Sequence, residues 1–505
     1  MKTIYSLLLI VAFLVQPVLS NAQDSRALDS LFQVLDTAHV FNGNVLMREK
    51  GQTTYQYSAG LADLKTGKRH SLHSTFQIGS ISKTFTAVAV MQLIQQHKLT
   101  LHDRYQTYFP DFPYPEIRID HLLSHTSGLP DKEELFFPLI DEDSTRQINN
   151  QDIIPTLKQS KKALAFLPGS QWRYCNIGYA LLATLVEKIS GERFGDYLAH
   201  HIFRPAGMQH SYLLGNKAED PNYTTGYLVR HHYLNDMEPI STSRKVRRWT
   251  YNLRGLYGPT NIVSTTGDLA NYAVALDQHK LLSKGMQDLA FTPYQLTDGT
   301  LAAPGGEFGA ANYGLGWFLP TATQLGRIVM HTGREPGFFT FFWHDQTHHR
   351  TIILLDNAES PGFGTACKQT VNLAYQTPFF PADEPGKRSL FLPFVRTLLK
   401  DGPDAAATLF NQLKADTAHY FTEERELNEL GLELLTDHHD SAALEVLKLA
   451  TLLYPQSWNT YDSYGKALLQ SGRRKDAITM YRQSVQMFPG NVPGRKILQA
   501  LTNDK

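Results

Sequence analysis

Strand-like runs cluster at both ends of the first 375 residues, and this constrains the fold more than any other feature of the sequence. Phe41 to Leu61 alternates as two strands around Glu49-Lys50-Gly51-Gln52, a stretch that reads as a hairpin turn. Similar runs return at 314–319, 327–331, 338–343 and 351–355, followed by a helix near 365–375. Ser25 to Ala38 reads as a helix, and a long helical segment spans Ile81 to His97. The middle of the chain, roughly 101–300, mixes helices with Pro- and Gly-rich loops. Strands at both ends with helices between them imply an α+β domain whose sheet is assembled from both chain ends.

That domain does not use the whole chain. At roughly 100–200 residues per domain, 505 residues are too many for one small domain. The stretch Pro378 to Lys387 is rich in Pro, Gly and charge and reads as a linker. Beyond it, Leu427, Leu430, Gly431, Leu434, Ala443, Leu447 and Pro455 recur 34 residues later as Tyr461, Tyr464, Gly465, Leu468, Ala477, Tyr481 and Pro489. A period of 34 with small residues at fixed places resembles tetratricopeptide repeats (TPR), whose paired helices close around the small positions. The expected organisation is therefore a signal peptide at 1–22, the α+β domain at 23–376, a linker at 377–387 and a TPR-like helical domain at 388–505. The clear repeats lie at about 424–457 and 458–491, and they either dock on the α+β domain or hold a protein partner.

The signal-peptide expectation rests on Lys2, the apolar run Ile4 to Val15 and the small residues Ser20-Asn21-Ala22. The run is shorter than the about 20 residues a bilayer span needs, so no transmembrane segment is expected in the mature chain. Export places the protein in the periplasm or outside the cell, where disulfides persist. With only Cys175 and Cys367 this is not a disulfide-stapled fold, and the pair are either free thiols or one bridge. Lys+Arg and Asp+Glu both number 48, so the chain lacks the basic footprint of a nucleic-acid binder. The four His-His pairs, at 200–201, 231–232, 348–349 and 438–439, come without metal-ligand spacing, and no phosphate loop or dinucleotide fingerprint occurs. No metal or cofactor is expected.

The chemistry gathers at Ser80. Phe76-Gln77-Ile78-Gly79-Ser80-Ile81-Ser82-Lys83 holds a Ser-x-x-Lys, and residues three apart share a helix face. The apolar run Ala87 to Met91 that follows implies a buried helix. Burial and the helix N-terminus both depress a lysine pKa, and a neutral amine can take the proton of a serine hydroxyl. Tyr174-Cys175-Asn176 precedes an amphipathic helix from Ile177 to Ser190. There Tyr174 can relay a proton if a nearby cation lowers its pKa, and Asn176 can hold a substrate amide or Lys83. His331-Thr332-Gly333 ends an apolar run, with Gly333 admitting a substrate backbone and the Arg334 amide completing an oxyanion hole. His125, in Leu122 to Leu129, is assigned a role in a turn.

Ser-x-x-Lys, Tyr-x-Asn and a basic-Thr-Gly strand, in this order, resemble the penicillin-recognising serine enzymes, which include serine β-lactamases and D-alanyl-D-alanine peptidases. The Tyr-x-Asn form is similar to the class C β-lactamase, D-aminopeptidase and family VIII esterase branch. Leu122-Leu123-Ser124-His125-Thr126-Ser127-Gly128-Leu129, Leu167-Pro168-Gly169, Tyr313 to Trp317 and Ser264 to Asp268 support it, over about residues 25–375. The resemblance implies an antiparallel sheet flanked by helices beside an all-helical subdomain. It implies a catalytic set of Ser80, Lys83 and Tyr174, with Asn176, His331, Thr332, Gly333 and Arg334 binding substrate. The expected activity is that of an acyl-serine hydrolase acting on an amide, peptide or ester, with D-amino-acid peptides, amides, small esters and β-lactams as the substrate classes. The competing reading is a catalytically weak peptide or muropeptide binder that recruits partners through its repeats. Relatives that act on β-lactams begin the third motif with lysine. Histidine, mostly neutral at pH 7, is a poorer partner for a substrate carboxylate.

Overall fold

The computed structural model describes residues 25–503 apart from 218, 235, 307 and 382–386, so the expected signal peptide lies outside the described residues. Helix α1 spans residues 25–37. Strand β1 (Gly43–Glu49) turns back into β2 (Gln52–Ala59) through Lys50 at φ 48° and Gly51 at φ 80°. Two consecutive positive φ angles match the right-handed twist of a two-residue hairpin.

Four helices position the site: α2 (Ser82–Gln95), α3 (Lys132–Glu142), α4 (Asn176–Ser190) and α5 (Thr266–Asp277). The chain then returns to the sheet with β3 (Ala311–Tyr313), β4 (Phe318–Pro320), β5 (Ile328–Glu335), β6 (Phe338–Asp345) and β7 (Arg350–Asp356), followed by α6 (Phe363–Tyr375). The seven strands form one antiparallel sheet in the order β3-β4-β5-β6-β7-β1-β2. The expected closure by both chain ends is the β1–β7 pairing, from Gly43↔Asp356 to Glu49↔Arg350.

Alternation along the strands builds a core on each face. Val329, Phe338, Phe342, Ile353 and Leu355 pack with the apolar residues of α2, α4 and α5. Ile328, Met330, Phe341, Trp343, Ile352 and Leu354 pack with Leu28, Phe32 and Cys367 of α1 and α6. Every residue of α2 from Ser82 to Ile94 is buried, as expected of a helix whose apolar residues fall on all its sides.

One expectation changes, and one open alternative is decided. The strand expected at 314–319 is two short strands, β3 and β4, around the turn Gly314–Trp317. Gly316 there sits at φ 96°, and a Cβ would lie 2.5 Å from the Ala87 side chain of α2, so the turn trades strand geometry for close approach to that helix. Cys175 and Cys367 are both free and buried, so of the two alternatives the free thiols hold.

The chain divides into two compact units. One is Met1–Leu228 with Glu238–Pro385, and the other is Val229–Met237 with Gly386–Lys505. Phe380, inside the expected linker, is a core residue of the first unit, pinned by backbone bonds to the Asn372 side chain. The second unit holds α7 (Phe391–Asp401), α8 (Pro403–Lys414), α9 (Glu424–Thr436), α10 (Asp440–Leu453), α11 (Trp458–Gln470), α12 (Arg474–Met487) and α13 (Val492–Asn503). A Cβ on Gly431 would lie 2.5 Å from Leu447, and one on Gly465 would lie 3.2 Å from Tyr481, so the repeated glycines stand where paired helices meet. Tyr233, from the 229–237 segment, is buried in this core and donates to Asp437 at 2.9 Å. Among the described residues no helix is long and apolar enough to cross a membrane.

Candidate active site

A short strand, Phe76–Gln77, pairs with Ile262–Ser264 and delivers the chain to Gly79. Gly79 adopts φ 51° and opens a single 3-10 turn, Gly79–Ile81, that runs directly into α2. A Cβ on Gly79 would lie 2.8 Å from the Arg334 amide nitrogen. Glycine thus brings the backbone beside Ser80 onto β5. Ser80 stays half-exposed while Gly79 and Ile81 are buried.

Lys83 lies in the first turn of α2 and is fully buried. Its Nζ is 3.0 Å from Ser80 Oγ, 2.9 Å from Asn176 Oδ1 and 3.1 Å from the Pro259 carbonyl oxygen. Burial lowers its pKa to about 7, helped by the charge of Lys132 and opposed by Asp131 and Glu335. A neutral amine has two N–H groups and one lone pair. Asn176 Oδ1 and the Pro259 carbonyl can only accept, so they take both N–H groups. The lone pair then faces the one neighbour that can donate, the Ser80 hydroxyl.

This count depends on which way the Asn176 amide points, and Asp131 fixes it. Asp131 accepts 2.8 Å bonds from Asn176 Nδ2 and from the Asn176 backbone amide, and a 3.1 Å bond from the Ile177 amide. A carboxylate accepts only, so Nδ2 must face Asp131 and Oδ1 must face Lys83. The same carboxylate caps the N-terminus of α4.

Tyr174 packs against this pair, with Lys83 Nζ 4.7 Å from its ring centre and Ser80 among the groups that act on its hydroxyl. Burial, then Tyr313, holds its pKa well above the usual range. The condition named for a relay, a pKa lowered by a nearby cation, is not met, since the adjacent lysine is itself driven toward neutrality. Tyr174 keeps its proton and works as a hydroxyl. His125, at φ 61°, accepts from the Cys175 amide through Nδ1 at 3.1 Å, while its carbonyl takes the Arg173 amide at 2.9 Å. His125 therefore braces the backbone on both sides of Tyr174, with its ring centre 4.2 Å from the tyrosine ring. Burial and the Lys83 charge hold it neutral.

Strand β5 supplies the third wall. Strand β4 pairs with it only at Phe318↔Met330, so among the described residues no strand pairs with that edge of β5 from His331 to Glu335. His331 is buried, with Nδ1 2.6 Å from the Thr332 carbonyl, and burial with the Lys83 charge lowers its pKa to about 3. A donor at Nδ1 leaves Nε2 as an acceptor, and this buried atom has no hydrogen-bond partner among the described residues. The reason for glycine at 333 differs from the expectation. A Cβ there would lie 2.1 Å from both the Ile78 carbonyl and Thr340 Oγ1, so the protein's own backbone before Ser80 fills that space. Thr340 ties the contact by donating to the Ile78 carbonyl at 2.8 Å. Thr332 and Arg334 carry their side chains on the opposite face, where Arg334 lies 4.5 Å over the Phe339 ring. Arg334 meets the site through its backbone.

The structure thus gathers Ser80, Lys83, Tyr174, Asn176, His331 and the Arg334 amide at one corner. Sequence reasoning missed Asp131, the Pro259 carbonyl and Glu335. Asp131 had a local signal, since an aspartate opening a helix is a common N-cap. The His-His pairs lie in separate arrangements, such as His200 and His201 on Glu192. Among the described residues no group of three or more His, Cys, Asp or Glu is arranged to hold a metal.

Residues 28–376 match the family model described as Beta-lactamase. A penicillin-binding protein of Bacillus subtilis (strain 168) is 32% identical over 403 residues, covering 77% of this chain and 86% of that relative. Among solved structures, the octameric penicillin-binding protein homologue from Pyrococcus abyssi superposes with a TM-score of 0.60 at 22% identity, over 74% of this chain and 81% of its own. A D-amino acid amidase from Ochrobactrum anthropi SV3 gives 0.56 at 23% identity, over 69% and 98%. The two structures share the fold.

Proposed function

The chain belongs to the beta-lactamase family, and from that premise we propose that it is an exported serine hydrolase forming an acyl-enzyme at Ser80. The observation that carries this reading is the partner set of Lys83, which leaves the amine lone pair for the Ser80 hydroxyl. Neutral Lys83 takes the hydroxyl proton as Ser80 Oγ attacks the substrate carbonyl. The oxyanion forms against the amides of Ser80 and Arg334, which Gly79 allows to lie together. The proton returns to the leaving group through the Tyr174 hydroxyl, which its environment keeps protonated. Water then attacks the acyl-enzyme in the reverse sense and releases the acid.

The third motif supports a substrate class. His331 is neutral and its side chain offers no fixed cation for a substrate carboxylate. Small esters and D-amino-acid amides or peptides are therefore turned over better than cephalosporins. The TPR-like helical unit, with two glycine-centred helix pairs, is read as a module that holds a protein partner or supports the hydrolase. The leading test is labelling with a fluorescent fluorophosphonate and a fluorescent penicillin. Wild type is labelled and Ser80→Ala is not. Absence of label on wild type, or equal labelling of both, refutes the serine-hydrolase reading in favour of a binding protein. A panel of p-nitrophenyl esters, D-amino-acid amides and cephalosporins then sets the substrate class, and efficient cephalosporin turnover alone sinks the preference stated above.

A further inference from the structure

Strand alternation places His331, Gly333 and Glu335 on the face of β5 that looks toward α2, and the register confirms it. Their partners on β6 are Phe342, Thr340 and Phe338, of which Phe342 and Phe338 belong to the core around α2, and Thr340 bonds to Ile78. Glu335 is thus the charged residue of β5 on the catalytic face, one position past the Arg334 amide. It is half-buried, and no hydrogen bond or ion pair to it is found among the described residues. Its charge acts on both Lys83 and Tyr174.

The other ionised groups beside Lys83 are differently occupied. Asp131 spends both oxygens on Asn176 and Ile177. Lys132 lies 3.9 Å from Glu133, with 16% of its side chain exposed. His331 is neutral. The open edge of β5 therefore presents one uncompensated charge on the catalytic face, and it is negative. A half-desolvated carboxylate without a partner attracts a cationic N–H donor strongly and repels a second carboxylate.

We infer that Glu335 is the recognition group for a substrate ammonium, so that the preferred substrates carry a free α-amino group next to the scissile carbonyl, as in amino-acid amides and unblocked aminoacyl peptides. This rests on the acyl-serine reading and narrows its substrate class. It separates the chain from hydrolases that recognise a terminal carboxylate and from those that take N-acylated substrates.

The test compares alanine p-nitroanilide with its N-acetyl derivative, using whichever enantiomer is turned over better. It is run at pH 7, where an α-amino group of pKa about 7.7–8.0 is mostly charged. Wild type favours the free amine in kcat/KM by at least about tenfold, the scale of a charge-assisted hydrogen bond. Glu335→Gln collapses that ratio toward one, Glu335→Asp retains part of it, and Glu335→Lys inverts it. The ratio cancels any loss of folded enzyme or of general catalytic competence. A wild-type preference for the acetylated compound overturns the inference, and so does a ratio that Glu335→Gln leaves unchanged. Ester turnover without anilide turnover overturns it as well. Fluorophosphonate labelling is run in parallel. Absence of label condemns the acyl-serine reading itself, whereas normal labelling with an indifferent ratio condemns only the role of Glu335.

Discussion

Glycine makes close approach possible in both units, but what it brings together differs. At the catalytic corner, Gly79 and Gly333 press polar backbone onto polar backbone: the Gly79 turn onto the Arg334 amide, and β5 onto the Ile78 carbonyl. In the helical unit, Gly431 and Gly465 press a helix onto the apolar side chains Leu447 and Tyr481 of its neighbour. The first arrangement sets the surroundings of Ser80, and the second buries surface. A methyl group added in each place should therefore damage different properties. The corner buries a lysine, two neutral histidines and a tyrosine with displaced pKa values, while the recurring positions of the helical repeats are mostly apolar or small.

The largest effect should come from the reacting pair. Ser80→Ala or Lys83→Met should lower kcat/KM for p-nitrophenyl acetate by about a thousandfold or more, since removing one member of a nucleophile–base unit costs nearly as much as removing both. The double variant should be scarcely worse than either single one. Gly333→Ala comes next. Its Cβ has no room against the Ile78 carbonyl, so the backbone before Ser80 must shift, and a misplacement on the order of 1 Å costs about a hundredfold. Steady-state kinetics and a thermal melt on the same sample separate that loss from unfolding.

Asp131→Asn tests the orientation argument. An amide at 131 no longer forces the Asn176 amide to turn Oδ1 toward Lys83, and kcat should fall about tenfold to a hundredfold, as when an orienting partner is lost. Removing the negative charge also lowers the Lys83 pKa. The acid limb of the rate profile should therefore move to lower pH relative to wild type, a shift that a merely structural role would not produce. In wild type, acylation should rise with pH through about 7 as the amine loses its proton, then level off. A profile flat from pH 5 to 9 would contradict a lysine base.

The smallest effect on activity is expected from Gly431→Ala. Its Cβ meets Leu447 at 2.5 Å, an overpacking worth about 1–3 kcal/mol. Ester hydrolysis should stay near the wild-type rate while the melting of the helical unit shifts down. If Gly431→Ala and Gly333→Ala damaged activity equally, the distinction between the two kinds of close approach would fail.

Much of the fold and of the site is legible in the amino-acid sequence. The α+β architecture follows from strand runs at both chain ends, and β1 pairs with β7 as that pattern requires. Ser80 and Lys83 meet because three residues make one helical turn, and α2 is buried because its sequence is apolar on all sides. Other features are not legible there. The strand expected at 314–319 breaks at Gly314–Trp317, where packing against Ala87 outweighs local strand preference. The segment 229–237 belongs with the C-terminal helices because Tyr233 finds its burial there, and nothing in its own nine residues signals that.

The spacing of the reacting groups, the class of sheet and the 34-residue period are all written in the order of residues, because each is set by neighbours a few residues apart along one element. The electrical state of the site is set only when the chain is folded. The Lys83 pKa falls to about 7, Tyr174 keeps its proton, His331 becomes neutral well below pH 7, and the space a Cβ at Gly333 would need is taken by the Ile78 carbonyl. Those outcomes depend on burial and on partners such as Asp131 and Pro259, distant in the chain, and desolvation is a property of the assembled surroundings that no local pattern carries.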